Sequence, residues 1–235
     1  MIHGATDYAL TRLKARTGRR LDGEGWRQIS SARSLPAVLE QLRAGNAASW
    51  VEGIGSASDA HAIEAGLRRR FQAQVDALCH WADPQWQPAL SWCARLVQLP
   101  ALRLAKSTAS ADLPDWPATD LRPFAGVGGA RALPVEAAWE AELMRRLPVL
   151  DADAADELAL LQRAVHQHRL RFSRLAAGNG WPERAAFERQ LLTRMRRNPL
   201  SPVHLLTAVA LALFDYERVR GELLRWAALL PESRA

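Results

Sequence analysis

Apolar residues recur along this chain at three- and four-residue steps, in blocks bounded by capping residues, glycines and prolines. The clearest block is Ile63, Leu67, Phe71, Val75 and Leu78 with charges between them; it predicts a long helix capped at Ser58 or Asp59 and closed after Trp81 by Asp83-Pro84. Ahead of it, Thr6 or Asp7 caps a helix to about Arg16 with Tyr8 and Leu13 on its apolar side. Gly23 to Ala32 carries Trp26 and Ile29, and Ser34 caps a helix with Leu35, Val38, Leu39 and Leu42 in phase, stopped by Gly45 and Asn46. Pro88 to Leu99 is a further helix, and Pro100 breaks it into a short turn ending at Leu104. Later, Pro134 opens a helix with Trp139, Leu143 and Leu147. Asp151 caps a long one from Asp153 to Ala177, with Leu158, Leu161, Val165, Phe172 and Leu175 inside. Gly178-Asn179-Gly180 is a stop, and Pro182 stands in the first turn of a helix reaching about Arg197.

The last block is unlike the others. Val203 to Phe214 is almost wholly apolar, and Asp215, Glu217, Arg218 and Arg220 follow at once. About a dozen apolar residues fall short of the roughly 20 that cross a bilayer, but they suit a helix enclosed on all sides. The segment from Pro202 to Leu230 reads as a helix pair or one bent helix. Its charges are spaced for i, i+3 pairing and expected to be partly buried.

Strand patterns are sparse, and Ala, Leu, Arg, Glu and Gln dominate, which predicts an all-α multi-helix bundle. Residues 107–133 are rich in Pro, Gly, Ser and Thr and read as a linker or surface loop. They separate an N-terminal helical region, 1–106, from a C-terminal one, 134–235.

With 235 residues, 49% hydrophobic and 24% charged, the chain is long and apolar enough to bury a real core. Its net charge of +6 is carried almost wholly by arginine, since only Lys14 and Lys106 are lysines. The arginines are interspersed with acids and form no block longer than Arg68-Arg69-Arg70, which argues against a nucleic-acid arm. Cys79 and Cys93 form no CxxC pair, so neither a zinc site nor a disulfide framework is expected. The N-terminus lacks the basic and apolar regions of a signal peptide, and no transmembrane segment is expected.

Candidate chemistry is thin. Gly126-Val127-Gly128-Gly129 lacks the Lys and Ser/Thr of a phosphate loop. His166 and His168 point to different faces of one helix, and His80 beside Cys79 has no orienting third group. Asp151, Asp153, Asp156 and Glu157 suit a helix start better than a calcium loop. No catalytic, cofactor or metal residues are assigned, and no small-molecule substrate is expected. Most tryptophans fall in apolar phase, whereas Trp86, Trp116 and Trp181 lie beside prolines or in loops. These three are the candidate contact surface, with Asp215, Glu217 and Arg220 as candidate structural ion pairs or interface.

Several stretches together resemble the single-copy, funnel-shaped central-stalk subunit of V-type and A-type rotary ATPases. Tyr8-Ala-Leu-Thr-Arg12, with Leu21 after it, resembles that family's opening helix. Ser34-Leu35 through Leu42-Arg43 to Trp50 resembles the next element, and Ile63-Glu64 through Leu67 the start of its long helix. Asp215-Tyr-Glu-Arg-Val219-Arg220 resembles its acidic–apolar–Arg signature, with Asp215 where Glu is more usual. Members of the family are generally longer chains, which implies a lost or shortened helical unit here. The resemblance implies a funnel-like helical assembly without an active site or cofactor. It would join the rotor axle subunit to the proteolipid ring and take part in ion or proton transport. It would lie in the cytoplasm, peripheral at the inner face of the membrane and attached through its partners. The alternative is an Arg-rich all-helical adaptor binding another protein, with nucleic acid the lesser option.

Overall fold

A computed structural model describes residues 3–108, 134–175 and 180–227, and among these the regular structure is helical, arranged as a multi-helix bundle. In chain order the α-helices are α1 (His3–Thr17), α2 (Gly23–Ser31), α3 (Leu35–Ala44), α4 (Ala60–Trp81), α5 (Gln87–Cys93) and α6 (Leu99–Thr108), followed by α7 (Val135–Arg146), α8 (Ala152–Phe172), α9 (Gly180–Arg197) and α10 (His204–Ala227). Short 3₁₀ turns fill Ala48–Trp50, Pro84–Trp86 and Ala94–Gln98.

The helix starts follow from local chemistry. Asp22, Ser34, Asp59 and Asp151 each turn a side-chain oxygen onto a backbone N–H three residues on, which satisfies one of the orphan donors of a helix start. The α4 stripe is fully enclosed: Ile63, Leu67, Phe71 and Val75 have no accessible surface. α10 packs along it, with the aromatic ring of Tyr216 5.8 Å from that of Phe71 and 6.5 Å from that of Trp50. The apolar start of α10 is surrounded as its composition requires, with His204 to Val209 all buried. α10 is one helix, in contact with α1, α3 and α4 from the first region and α9 from the second. A single apolar cluster therefore runs through both regions.

Five local expectations need correction. α1 already begins at His3, so Thr6 and Asp7 lie within the helix and do not cap it. Pro100 does not end the helical path. It occupies the second position of α6, where no intrahelical N–H is needed, and the chain stays helical to Thr108. Most of 107–133, the expected linker, lies outside the described residues. α8 stops at Phe172, where Ser173 closes the turn by bonding back to Arg169, so Leu175 is left 38% exposed and not inside. Tyr8 is also outward, because Leu13 with Ala9 and Leu10 fills the buried face of α1. Trp86, expected at the surface, is 2% exposed. Asp83 accepts a hydrogen bond from the Gln85 N–H at 3.0 Å, closing the tight turn between α4 and α5, and the indole belongs to the buried core.

Removing the Phe71 ring should cost about 3–5 kcal/mol, because it is fully enclosed and supports Tyr216 from the opposite end of the chain. Urea unfolding of Phe71→Ala checks this, and a loss under about 1 kcal/mol would contradict the packing.

Candidate interaction site around the last helix

Beyond its apolar half, α10 becomes a band of charges, each engaged by a different part of the molecule. Arg20, in the turn after α1, grips Asp215 with both ends of its fork, at 2.9 Å from Nε and 2.7 Å from Nη2. Its Nη1 donates to Glu188 of α9 at 2.7 Å, and Nη2 also reaches the Leu211 carbonyl at 3.3 Å. Arg184 of α9 donates to Glu217. Arg220 donates from Nε to Glu64 of α4 at 2.6 Å. Glu222 accepts the Ser30 hydroxyl proton at the end of α2.

The expected pairing within the helix is therefore replaced by pairing between helices. Asp215 and Glu217, two apart, diverge by about 200° at about 100° per residue, while Glu217 and Arg220, three apart, share a face but take their partners from other helices. Residues 215, 217, 220 and 222 each meet a different neighbour before they can meet one another. Partial burial holds for Asp215, with a side-chain exposure of 16%, and for Glu217, but Arg220 is 44% exposed; the partner Arg20 is itself 12% exposed. Burial alone would lower the Arg20 pKa, but hydrogen bonds and charges from Asp215 and Glu188 more than reverse this and hold it above the ordinary guanidinium value. The Tyr216 phenol lies between these pairs and is pushed up to about 12, first by burial and then by the Glu64 charge.

Trp181 is 41% exposed, as a contact residue should be, yet it is held. The Arg184 guanidinium sits 5.1 Å from its ring centroid and that of Arg218 5.5 Å away. Arg218 also lies 4.5 Å over Trp26. Asp215, Glu217, Arg220 and Trp181 thus belong to one region, whereas Trp86 is in the core and Trp116 lies outside the described residues. Sequence reading missed Arg20, Arg184 and Glu188. Arg184 and Glu188 sit on an ordinary amphipathic helix and Arg20 in a turn, and only the folded contacts distinguish them.

Beside this band lies an apolar cleft of about 740 Å³ between α6, α7, α8, α9 and α10. Leu143, Leu161, Val165, Phe187, Val209 and Leu213 wall it, and Trp139 and Phe214 add aromatic surface. Its volume falls within the range of ligand sites, about 300–1,000 Å³. Four of the charges that line it are paired, Arg184 with Glu217 and Arg103 with Glu136. His168 faces the cleft, stacked on Phe187 at 4.4 Å, with Nδ1 4.0 Å from Glu183. Cys93 also lines the cleft, but burial pushes its thiol up to about 12, which leaves it un-ionised and weakly nucleophilic at neutral pH. The arrangement is built to hold apolar surface. No group of three or more His, Cys, Asp and Glu able to hold a metal ion occurs among the described residues.

The charge band sets unequal costs for losing its members. Asp215→Ala leaves a mostly buried guanidinium with one acid instead of two, and should cost about 2–3 kcal/mol in urea unfolding. Arg220→Ala should cost under about 1 kcal/mol, since that side chain is 44% exposed. Equal costs would contradict the assignment of Arg20–Asp215 as the main brace. The buried histidines make stability depend on pH. Burial lowers the pKa of His168 and of His204, whose Nε2 donates to the Asn198 carbonyl at 2.5 Å. Both favour the neutral form when folded, so on acidification the unfolded chain takes up more protons. Stability should therefore be unaffected by these groups above about pH 6.5 and fall as pH drops below it. Urea midpoints from pH 7 to pH 5 measure this; His168→Phe should flatten the slope, and an unchanged slope would contradict it. No family model, curated protein or solved structure matches the chain.

Proposed function

We propose that this chain is a non-catalytic coupling subunit of a V-type rotary ATPase, joining the central rotor axle to the membrane proteolipid ring. The observation that carries the reading is the convergence of the stretches that resemble that family. Trp50, Glu64 and the Asp215–Arg220 segment are far apart in sequence, and they form one joint: Tyr216 packs near Trp50, and Arg220 holds Glu64. Leu21 packs against the same core. A subunit that passes torque between two partners needs its ends fixed to each other, and paired charges across helices resist sliding better than apolar contact alone.

In this reading the helices form a funnel that receives the axle, and the protein sits at the cytoplasmic face of the membrane through its partners. No helix among the described residues is long and apolar enough to cross a membrane, which suits attachment through other subunits. The arginines support the reading in a second way. Arg20, Arg70, Arg103, Arg146, Arg184 and Arg220 are each paired with acids and do not form a free basic face of the kind nucleic acid requires. The alternative, an adaptor for another protein, is favoured by the apolar cleft and by the exposed Trp181 beside it.

Affinity purification of the tagged chain from solubilised native membranes tests the proposal. Recovery of an axle subunit and the proteolipid in constant ratio is the expected result, with genes for other ATPase subunits adjacent. Recovery of the chain alone, or with an unrelated soluble protein, would overturn it and leave the adaptor.

A further inference from the structure

We infer that the end of α1, the turn after α3 and the middle of α4 form a binding pocket for a phosphate-type oxyanion. The hollow has a volume of about 150 Å³, enough for one tetrahedral anion with a few waters at roughly 30 Å³ each. Its polar lining is Arg16, Arg19 and Arg20 from one side, Asn46 and Ser49 from a second, and Gln74 from a third.

The charges do not cancel there. Asp215 is the acid on the lining, and both of its oxygens are taken by Arg20. Arg20 is further matched by Glu188. Arg16 is partly buried yet makes no hydrogen bond or ion pair among the described residues. Burial lowers its pKa, attraction from Asp215 does not restore it, and Arg20 pushes it further down. A partly desolvated guanidinium with no acceptor among the described residues is a donor that an incoming anion can engage by charge-assisted hydrogen bonds. Arg19 adds a second positive charge at the mouth. The Asn46, Ser49 and Gln74 side chains likewise make no hydrogen bond among the described residues and offer neutral donors from other directions.

That distribution selects the anion. A carboxylate has two oxygens in one plane, which a single guanidinium fork already serves. Two separate arginines with amide and hydroxyl donors around them suit an ion whose acceptor oxygens point several ways, as a phosphate group does. The same group is offered by inorganic phosphate, by a phosphomonoester and by an anionic lipid headgroup. The pocket's chemistry does not depend on the rotary-ATPase reading.

Inorganic phosphate, titrated calorimetrically into the full chain in low-salt chloride buffer, is the direct probe. Saturable binding of one phosphate per chain is expected. It should weaken about tenfold or more in Arg16→Gln, from loss of a charge-assisted contact, and stay unchanged in Arg103→Gln, which lies at the separate apolar cleft. Should Arg16→Gln fail to fold by circular dichroism, Gln74→Leu serves as the second variant, with a smaller loss. Sedimentation with phosphatidylcholine vesicles, with and without phosphatidic acid, separates the sources. Phosphate-competed binding to the anionic vesicles assigns a headgroup, and phosphate binding without vesicle binding assigns a free phosphate. Absence of saturable phosphate binding, or unaltered affinity in both pocket variants, would overturn the inference.

Discussion

Enclosure of the last helix is the constraint on which the rest of the structure depends. The first half of α10 is almost wholly apolar, His204 and Thr207 apart, and must be surrounded, so helices from both ends of the chain close around it. The same helix then carries its charged second half into a partly desolvated setting, where an unpaired charge is expensive. Arg20, Arg184 and Glu64 answer Asp215, Glu217 and Arg220 from three directions. Burial thus comes first, and the pairing is its consequence.

Such pairs add little net stability, since the cost of taking each charge from water offsets much of the attraction. What they define is alignment. A helix packed only by leucines can slide or rotate by a turn at modest cost, whereas α10 displaced by one turn would separate Asp215 from Arg20 and Glu217 from Arg184 together. The fork of Arg20 makes the restriction sharper, because it binds Asp215 through two atoms and Glu188 through a third. Trp181, set between Arg184 and Arg218, extends the band to the surface without freeing the indole. A rigid spacer between partners needs this kind of definition more than it needs depth of stability.

The sequence made the local features plain and left the distant ones hidden, for physical reasons. Asp59, Ser34 and Asp151 were legible as caps because a cap bonds within three residues of itself. The stripe from Ile63 to Leu78 was legible because helical period alone places it on one face. Trp86 misled because prolines flank it and suggest a loop, whereas its indole, in the tight turn between α4 and α5, belongs to the buried core. The α10 charges misled in another way. Their spacing permits pairing within one helix, and nothing local reveals that Arg20, 195 residues away from Asp215, occupies the better position. The pocket of Arg16 and Arg19 was hidden for the same reason, since its walls come from separate stretches.

If enclosure governs the fold, α10 binds the two regions into one cooperative unit. Native-state amide hydrogen exchange across a denaturant series measures this most directly. The slowest amides of α4 and α10 should open together, with one free energy and one denaturant dependence. If α8, α9 and α10 instead opened as a group while α3 and α4 stayed protected, the two regions would be separate units and the enclosure would not be what joins them.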